Sequence, residues 1–381
     1  MKTYDVLVVG AGLAGLQCAR RLSAQNLRVL LIDRKRELAA SVHTTGIFVR
    51  RTLEDFALPD DCLGPPVRRV TLYSPAGRPL ALASPHDEFR IGRMGRLYEH
   101  YLHECRHAGV EWSPDTQYVG SEVSEEGSLI NLAREGKTQR VQARYIVGAD
   151  GVMSRVARDL GLDRNREWIV GVEDVLRGVP LDGEPCFHCF LDPVRAPGYL
   201  AWVVNDGHET HLGVGGYAAR FDPPRALESF RARVSGLVDL RCAERVERRG
   251  GRIPVGGVLR RIANCRGLLV GDAAGAPSPL TAGGLDPCMR LSSLAADVVT
   301  RYLATGDAAV LVPYSGDTFR SRFVSRRWMR RVIATVSHPA LLELICAALC
   351  TPLCRPLAWH VFFGRGSFPD VKMGLAPQLQ S

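Results

Sequence analysis

Apolar and polar positions along the chain predict buried strands and helices that alternate from the first residues onward. Residues 6–9 and 27–32 are largely apolar, which is typical of strands buried on both faces in a parallel sheet. The segment between them, 13–24, has the spacing of a helix, as do residues 94–108 and 286–303. The pattern therefore predicts an α/β fold that begins with a strand, a helix and a second strand.

A second set of segments alternates between polar and apolar residues, the pattern of strands with one exposed face. Residues 68–74 and 78–83 flank a Pro-Ala-Gly turn and are predicted to pair as an antiparallel hairpin. Further strands are predicted at residues 118–123, 128–133 and 141–147. Most of 166–251 is also predicted to be strand, with a hairpin turn at 206–207, and 267–270 is again a short buried strand. We therefore expect a parallel sheet assembled from distant segments, with an antiparallel sheet inserted between them.

The first predicted strand leads directly into three glycines, Gly10, Gly12 and Gly15. Between a strand and a helix, the first glycine permits a tight turn, the second lets the backbone approach a pyrophosphate, and the third lets the helix lie against the strand. Asp33 ends the second strand about 20 residues later, where a carboxylate accepts a hydrogen bond from a ribose 2′-hydroxyl and repels a 2′-phosphate. The motif predicts a site for the adenosine half of FAD or NAD rather than NADP; the alternative is a glycine-rich turn without a ligand.

Composition and charge indicate which classes of protein this chain can belong to. The chain has 381 residues, 46% of them hydrophobic, enough for one large core or two moderate ones. It has no run of the roughly 18 apolar residues that a membrane span requires. Because the first strand begins at Tyr4 and carries the glycine motif, we expect no signal peptide and a cytoplasmic protein. The net charge of +9 is accompanied by no nucleic-acid-binding motif, so no nucleic acid partner is expected.

The 11 cysteines are scattered singly, as expected of reduced thiols. Cys186 and Cys189 have a spacing seen in metal sites, but they lie in a predicted strand, where positions three apart face opposite sides of the sheet. No metal site is therefore expected.

Two later strand ends also carry glycine-rich turns, each followed by a predicted helix. The turns are Gly148-Ala-Asp150-Gly151 with Ser154 and Arg155 after it, and Gly271-Asp272-Ala-Ala-Gly275 with Pro279, Gly283 and Gly284 after it. Together with the first glycines, these motifs in this order resemble the flavoprotein monooxygenase superfamily and, within it, the geranylgeranyl reductase branch. The resemblance spans roughly residues 4–305.

The resemblance implies FAD bound in an extended form and reduced by NAD(P)H or another electron donor. Adenosine would lie at residues 10–33. Asp272 would hold ribityl or pyrophosphate hydroxyls, and the amides of 283–285 would face the flavin N1–O2 edge, where an anion is stabilised by a helix start. Arg93 matches an FAD-contacting arginine, and Asp150 would lie near FAD and the nicotinamide unless it is only a helix N-cap. The residues expected to contact FAD are Gly10, Gly12, Ala14, Gly15, Asp33, Arg34, Thr44, Thr45, Arg93, Asp150, Gly151, Gly271, Asp272, Pro279, Gly283, Gly284 and Leu285.

The chain departs from the family in two motifs. Thr44-Thr45 stands where many geranylgeranyl reductases carry a cysteine-glycine pair, and 197–205 keeps only part of their Tyr-x-Trp-x-Phe-Pro motif. His43, Tyr199 and Trp202 are candidates for the substrate side; the alternative is that each is only a core or surface residue.

Two reactions therefore remain open for an FAD-dependent oxidoreductase. One is the reduction of carbon–carbon double bonds of a hydrophobic, isoprenoid-like substrate. The other is the NAD(P)H-dependent hydroxylation or epoxidation of an apolar small molecule. A third hypothesis, from another class, is a flavin-bearing chaperone that carries a lipophilic intermediate without turnover.

The C-terminal region is predicted to be helical. Residues 319–331 form a basic amphipathic segment with six arginines, and 341–350 and 357–363 are strongly apolar. These helices are expected either to cap the flavin domain or to contact an anionic membrane surface peripherally.

The predicted architecture is a Rossmann-like, three-layer FAD-binding domain with an interleaved antiparallel-sheet substrate domain and C-terminal helices. We expect the FAD-binding domain at residues 1–66, 92–165 and 265–318, the substrate domain at 67–91 and 166–264, and the helical region at 319–381.

Overall fold

The computed structural model describes residues 1–40, 42–180, 183–320, 323–336, 338–364 and 366. Its strands are β1 (Lys2–Val9), β2 (Val29–Ile32), β3 (Ile47–Val49), β4 (Arg69–Tyr73), β5 (Pro79–Ala83), β6 (Phe89–Ile91), β7 (Glu111–Ser113), β8 (Thr116–Ser124), β9 (Gly127–Arg134), β10 (Lys137–Gly148), β11 (Trp168–Arg177), β12 (Cys186–Phe190), β13 (Ala201–Asn205), β14 (Thr210–Gly216), β15 (Glu244–Pro254), β16 (Ala263–Asn264) and β17 (Gly267–Leu269). Its α-helices are α1 (Leu13–Ser23), α2 (Arg50–Asp55), α3 (Met94–His107), α4 (Arg155–Asp159), α5 (Pro223–Val234), α6 (Leu285–Thr305), α7 (Gly316–Arg320), α8 (Val324–Thr335), α9 (Pro339–Leu349) and α10 (Arg355–Phe363).

The first sheet has eight strands and is built around β1. Its order is β16-β17-β10-β1-β2-β7, with β9 beside β10 and β8 beside β9. The five strands from β17 to β7 run parallel. Helices α1, α3 and α6 share a hydrophobic core with these strands. The predicted α/β fold with a parallel sheet is therefore confirmed.

Four parallel strands end level with one another. Val9 pairs in register with both Ile32 and Gly148, and Gly148 pairs with Leu269. Because the carboxyl ends of parallel strands lie at one edge of a sheet, the turns after β2, β1, β10 and β17 follow one another along that edge. This edge, defined here as the strand-end edge, therefore gathers all three glycine-rich motifs and Asp33.

The second sheet has seven strands in the order β15-β11-β14-β13-β12-β4-β5. The predicted hairpin of β4 and β5 is confirmed, as is the hairpin of β13 and β14. All neighbours are antiparallel except β12 and β4, which run parallel. A parallel pair requires a long connection, and β4 and β12 are far apart in the chain. A two-stranded ribbon of β3 and β6 stands apart from both sheets.

One helix occurs where strand was predicted. The interpretation of 166–251 as mostly strand was wrong for α5 (Pro223–Val234). Asp222 caps this helix by accepting a hydrogen bond from the Arg225 amide, and Pro223 occupies its first turn. Its buried side chains recur at helical spacing and pack in the same core as β11 and β14. The helix thus covers one face of the second sheet.

The C-terminal helices lie over another part of the second sheet. The segment predicted as one helix, 319–331, is divided between α7 and α8; residues 321 and 322 lie outside the described residues. The predicted apolar segments are confirmed as α9 and α10. Side chains of α10 share a core with β4 and β5, and the Trp359 indole donates a hydrogen bond to the Ala83 carbonyl at 3.3 Å. In the described part of the chain, every helix is too short or too polar to cross a bilayer.

The origin of the strands suggests how the chain divides into domains. The first sheet takes its strands from three separated stretches, and the second sheet from two. We propose that the first three stretches form the cofactor-binding domain, with the predicted boundaries at residues 66, 91, 165 and 264. The two-residue strand β16, which lies just before the last boundary, pairs within the first sheet.

Candidate functional site

Among the described residues, a large cavity runs from the strand-end edge to the C-terminal helices. Its volume is about 1720 Å³, whereas pockets for ordinary small ligands measure about 300–1,000 Å³. One end is lined by the glycine-rich turns and the other by apolar side chains of α8, α9 and α10. The cavity is therefore large enough for an elongated cofactor together with an apolar molecule.

The start of α1 presents free backbone amides at one end of the cavity. The first intrahelical bond runs from the Leu16 amide to the Gly12 carbonyl at 3.0 Å, so the amides before Leu16 have no helical partner. No described side chain caps this helix. A Cβ atom on Gly12 would meet nothing within 4 Å, because the space beside it is open. Open space beside free amides at a helix N-terminus suits a phosphate.

Gly10 and Gly15 have a different role from Gly12. Gly10 has φ +102°, and a Cβ atom there would come within 2.3 Å of the Ala149 carbonyl oxygen. A Cβ atom on Gly15 would come within 1.8 Å of the Gly10 carbonyl oxygen. The turn and the close packing of helix on strand therefore require glycine at both positions.

Two carboxylates of the strand-end edge are held by backbone amides. Asp33 accepts hydrogen bonds from the amides of Ala11 at 2.7 Å and Lys35 at 2.8 Å. Asp150 accepts from the amides of Arg155 at 2.7 Å and Val156 at 3.1 Å in the first turn of α4, whose N-cap residue is Ser154, and it also lines the cavity. Burial raises the pKa of Asp150, although its hydrogen bonds oppose that shift.

Asp272 differs from these two carboxylates. It lines the cavity after β17, and its carboxylate accepts no hydrogen bond from the described residues. Burial raises the pKa of Asp272 to about 6. Nearby, α6 begins at Leu285 with Gly284 as its N-cap, and its first helical bond is from the Cys288 amide to Gly284 at 2.9 Å. A carboxylate without a hydrogen-bond partner can accept from the hydroxyl groups of a ligand, and the start of a helix stabilises an anionic group. The two features together suit a ligand that carries both kinds of group.

Six polar side chains form a buried cluster between the cavity and the second sheet. They are Thr45, Glu173, Trp202, Asp206, His211 and Arg249. Glu173 lies at the centre: its carboxylate accepts from Thr45 Oγ1 at 2.5 Å and from Trp202 Nε1 at 3.3 Å, and it lies 3.4 Å from His211 Nδ1 and 3.5 Å from Arg249. Asp206 lies 3.7 Å from the other ring nitrogen of His211.

The charges of this cluster are coupled. Burial disfavours a charged imidazole, but the hydrogen bond to Glu173 and the negative charges of Glu173 and Asp206 outweigh burial and raise the pKa of His211 to about 9. Burial also opposes ionisation of Asp206, yet the positive charge of His211 at 3.7 Å and hydrogen bonds from the backbone amides of His208 and Glu209 lower the pKa of Asp206 to about 2. The cluster is therefore a set of mutually neutralised charges near pH 7.

Two aromatic rings form the floor of the cavity at its apolar end, and they pack against glycines of the second sheet. A Cβ atom on Gly213 would come within 2.2 Å of the Trp202 ring, and one on Gly215 within 2.7 Å of the Tyr199 ring. The Tyr199 hydroxyl donates to the Thr281 carbonyl at 2.6 Å, which joins this floor to the loop before α6. Most of the remaining lining here is apolar and comes from Phe187, Leu200, Met329, Ile345, Leu357 and Phe362.

Comparison with known proteins assigns the family. Residues 96–318, more than half of the chain, match the family described as FAD binding domain. The chain belongs to this family. Residues 5–74 match a second family, described as FAD dependent oxidoreductase. This FAD-binding protein is therefore an FAD-dependent oxidoreductase.

The FAD-binding chain is also similar to individual proteins. It is 29% identical over 314 residues to digeranylgeranylglycerophospholipid reductase 1 of Methanothermobacter thermautotrophicus, covering 80% of this chain and 78% of the relative. A geranylgeranyl bacteriochlorophyll reductase-like protein of Thermoplasma acidophilum superposes with a TM-score of 0.83 at 20% identity, covering 97% and 98% of the two chains. For p-nitrophenol 4-monooxygenase of Pseudomonas putida the TM-score is 0.72 at 18% identity, covering 96% and 100%. The expected relation to the geranylgeranyl reductase branch is confirmed.

The strand-end edge fits FAD. Free amides and open space at Gly12 suit the pyrophosphate, and the unpaired carboxylate of Asp272 suits the ribityl hydroxyls. The turns that carry Asp33, Gly12, Asp150 and Asp272 follow four adjacent strands, β2, β1, β10 and β17, so these residues lie in that order along the strand-end edge. That order runs from the end predicted for adenosine to the end predicted for flavin.

Nearly all predicted cofactor contacts line the cavity. The exceptions are Gly15, Arg93 and Pro279. The guanidinium of Arg93 donates to the backbone carbonyls of Asp61 at 3.1 Å and Asp206 at 3.5 Å, and its contact to FAD stays a prediction. Pro279 packs beside Gly257 instead.

The three substrate-side candidates all line the cavity but in different settings. Trp202 is buried and Tyr199 half-buried on the floor of the apolar end, whereas His43 is exposed, with its Nδ1 atom 3.1 Å from the Gly250 carbonyl. Burial, together with the nearby charge of Lys35, lowers the pKa of His43. The cluster around Glu173 was not predicted from the sequence, although an adjacent glutamate and aspartate within the otherwise apolar run of β11 were a signal for it.

Proposed function

We propose that this protein reduces carbon–carbon double bonds of a hydrophobic, isoprenoid-like substrate. The observation that carries the proposal is the continuous cavity, which joins a cradle for FAD to a long apolar compartment under the C-terminal helices. Relatives named digeranylgeranylglycerophospholipid reductase, one of them 28% identical over 362 residues, support the same chemistry. NAD(P)H or another donor would supply the electrons.

The residues of the chain would bind and orient the two reactants. FAD, when bound, supplies two-electron redox chemistry. The turns of the strand-end edge would hold its nucleotide, and the contacts assigned above to Gly12, Asp33 and Asp272 are part of this proposal. The apolar walls would hold the alkene over the aromatic floor of Tyr199 and Trp202 and exclude water from it.

The proposal is tested without oxygen. The FAD-loaded protein, reduced by dithionite under argon, is incubated with geranylgeranyl phosphate, and the products are analysed by mass spectrometry. We expect products that have gained two hydrogen atoms for each reduced double bond. Controls are free reduced FAD and protein stripped of flavin. A second incubation is made in air. Products that gain an oxygen atom there, with oxygen consumption, and no reduced product under argon would establish the monooxygenase alternative and overturn the reductase proposal.

We further propose that the protein is cytoplasmic and contacts anionic membranes through its C-terminal helices. Large apolar side chains are exposed on and between these helices, with Trp328 67%, Leu344 69% and Leu353 89% accessible. Arginines Arg327 and Arg331 of α8 accompany them. Exposed aromatic and aliphatic side chains beside arginines are typical of segments that lie on an anionic bilayer.

Pelleting with liposomes tests this contact. We expect the protein to sediment with vesicles that contain anionic phospholipid at moderate salt, and to sediment less with vesicles of neutral phosphatidylcholine. The variant Leu353→Ser should weaken sedimentation, since it removes the most exposed of the three apolar side chains. The proposal would be contradicted if the protein sediments equally with both kinds of vesicle and no more than it does without vesicles.

A further inference from the structure

The buried cluster around Glu173 extends from the cavity into the second sheet. Its members differ in their access to the cavity: Thr45, Glu173, Trp202 and Arg249 line it, whereas Asp206 and His211 do not. Binding and orientation of the two reactants require none of the ionisable groups of this cluster. A set of buried charges that opens onto a substrate cavity is a candidate for proton transfer.

The strands of the second sheet bring the cluster together on one face. Glu173 of β11 lies directly opposite Arg249 of β15 and, on its other side, Gly213 of β14. Because Gly213 has no side chain, the Trp202 ring lies across β14, and its Nε1 atom donates to the Glu173 carboxylate at 3.3 Å. His211 is two residues before Gly213, so its side chain lies on the same face.

A series of contacts leads from the hairpin turn after β13 to the cavity. Asp206 lies in this turn, and its carboxylate is 3.7 Å from His211 Nε2. His211 Nδ1 lies 3.4 Å from one oxygen of the Glu173 carboxylate. Thr45 Oγ1 donates to the other oxygen of Glu173 at 2.5 Å, and Thr45 itself lines the cavity. Small movements of these side chains bring every step within the distance over which protons transfer.

The series holds a proton near pH 7. The hydrogen bond to Glu173 and the charges of Glu173 and Asp206 raise the pKa of His211 to about 9, so the imidazole is protonated. Two further charged groups lie beside the series. Arg249 is 3.5 Å from the Glu173 carboxylate, and Arg93, the N-cap residue of α3, donates to the Asp206 backbone carbonyl at 3.5 Å. The proton of His211 is therefore held between two carboxylates.

We propose that Thr45 gives a proton to the substrate and that Glu173 and His211 replace this proton. The inference rests on the proposed function, because reduction of a carbon–carbon double bond requires a proton as well as a hydride. Apolar walls exclude water, the usual proton source, from much of the cavity. Thr45 is also one of the predicted FAD contacts, so a substrate carbon beside its hydroxyl would lie against the cofactor.

The step balances in atoms and electrons. The double bond takes a hydride from reduced FAD at one carbon, and its π electrons form the second C–H bond with the hydroxyl proton of Thr45. The broken O–H bond of Thr45 is formed again with a proton from Glu173, which receives it from His211 Nδ1. FAD is left oxidised and His211 neutral. Asp206, which accepts from the amide of the exposed His208, connects His211 to the surface, where solvent returns the proton. Thr45 is thus the catalytic residue, and the others act through it.

Single-turnover reduction of geranylgeranyl phosphate under argon, with the FAD-loaded protein, tests the inference. Thr45→Val removes the hydroxyl at almost unchanged volume and should lower the rate constant about 100-fold, the scale of general acid catalysis. Affinity of the oxidised protein for the same probe, and its flavin content, should not change. Thr45→Ser should recover most of the rate, since it returns a hydroxyl. Thr138→Val is the matched control, at an exposed position of β10 outside the cavity, and should keep the wild-type rate.

The pH dependence separates proton transfer from a structural role. In the wild-type protein the rate constant should fall as the pH rises through the His211 pKa of about 9, because the imidazole then has no proton to give. In Thr45→Val the remaining rate should not follow this ionisation, since the hydroxyl that connects His211 to the substrate is missing. NMR titration of His211 in the oxidised, FAD-loaded protein adds a measurement without turnover: the imidazole should be protonated at pH 7.

Three results would overturn the inference while double bonds are still reduced. They are a wild-type rate constant in Thr45→Val, a loss of rate that is fully explained by weaker binding of the probe, and a neutral His211 imidazole at pH 7. Failure of the proposed function is recognised by a different result, because the wild-type protein itself would then form no reduced product. The inference would fail with it.

Discussion

Replacing Gly12 by valine is expected to give a folded protein that is purified without flavin. A side chain at this position meets nothing within 4 Å, so the fold accommodates it, but the side chain occupies the space beside the free amides of α1. Loss of two charge-assisted hydrogen bonds to a pyrophosphate costs about 3–6 kcal/mol, which weakens FAD binding by at least about 100-fold. Flavin absorbance of the purified protein and titration with FAD measure the effect.

Two further glycines serve as controls for this variant. Gly236→Val is the matched one, because Gly236 also has nothing within 4 Å of its Cβ position and lies outside the cavity; it should retain full flavin content. Gly15→Val should instead fail to fold, since its Cβ atom would collide with the Gly10 carbonyl. A Gly12→Val protein with normal flavin content would show that the phosphate is not held at the start of α1.

The second large effect is expected from Glu173→Gln. Glu173 is 3% exposed and is the shared partner of His211 and Arg249, so its neutralisation leaves two buried positive charges with less compensation. Breaking a buried ion pair from one side costs about 3–5 kcal/mol, and we expect the free energy of unfolding to fall by about 3 kcal/mol or more. Urea unfolding measures the change. Glu122→Gln, at an exposed position of β8, should have almost no effect.

The same substitution should also alter the pH dependence of stability. A histidine whose pKa is raised by folding stabilises the folded state below its unfolded value of about 6.5, and this contribution is lost as the pH rises through the folded value of about 9. In the wild-type protein, stability should therefore decrease by up to about 3 kcal/mol across this interval. In Glu173→Gln the decrease should be smaller, because only Asp206 remains to hold the proton. An unchanged pH profile would show that His211 is not controlled by Glu173.

Local signals in the sequence predicted the cofactor end well. The run from β1 through Gly10 and Gly15 to Asp33 lies within one βαβ unit, where strand, turn and helix are each decided by neighbouring residues. The two later turns were predicted from the same strand-to-helix pattern, whereas their FAD contacts were implied by the family resemblance and stay predictions. Arg93, by contrast, was assigned by likeness alone, and tertiary contacts with the carbonyls of Asp61 and Asp206 decide where its side chain lies.

The substrate end was much less predictable. The Glu173 cluster joins residues as far apart in the chain as Thr45 and Arg249, so no local pattern contains it. Arg330 belongs to a segment whose six arginines are indistinguishable in the sequence, and only packing against Tyr199 and Tyr217 shows which of them is buried. Helix α5 was missed because its apolar positions were attributed to strands on either side.

The ends of four neighbouring strands lie level, and the distance between them sets the length of a cofactor that can contact all four turns. Adjacent strands are about 4.8 Å apart, so the turns after β2 and β17 are separated by roughly 14 Å along the strand-end edge. Only a molecule of corresponding length can engage both ends at once. A flavin mononucleotide carries a phosphate for the turn after β1 but lacks the adenosine half, so it would leave the turn after β2 without a partner. We therefore expect the chain to select its flavin by length rather than by the chemistry of the ring.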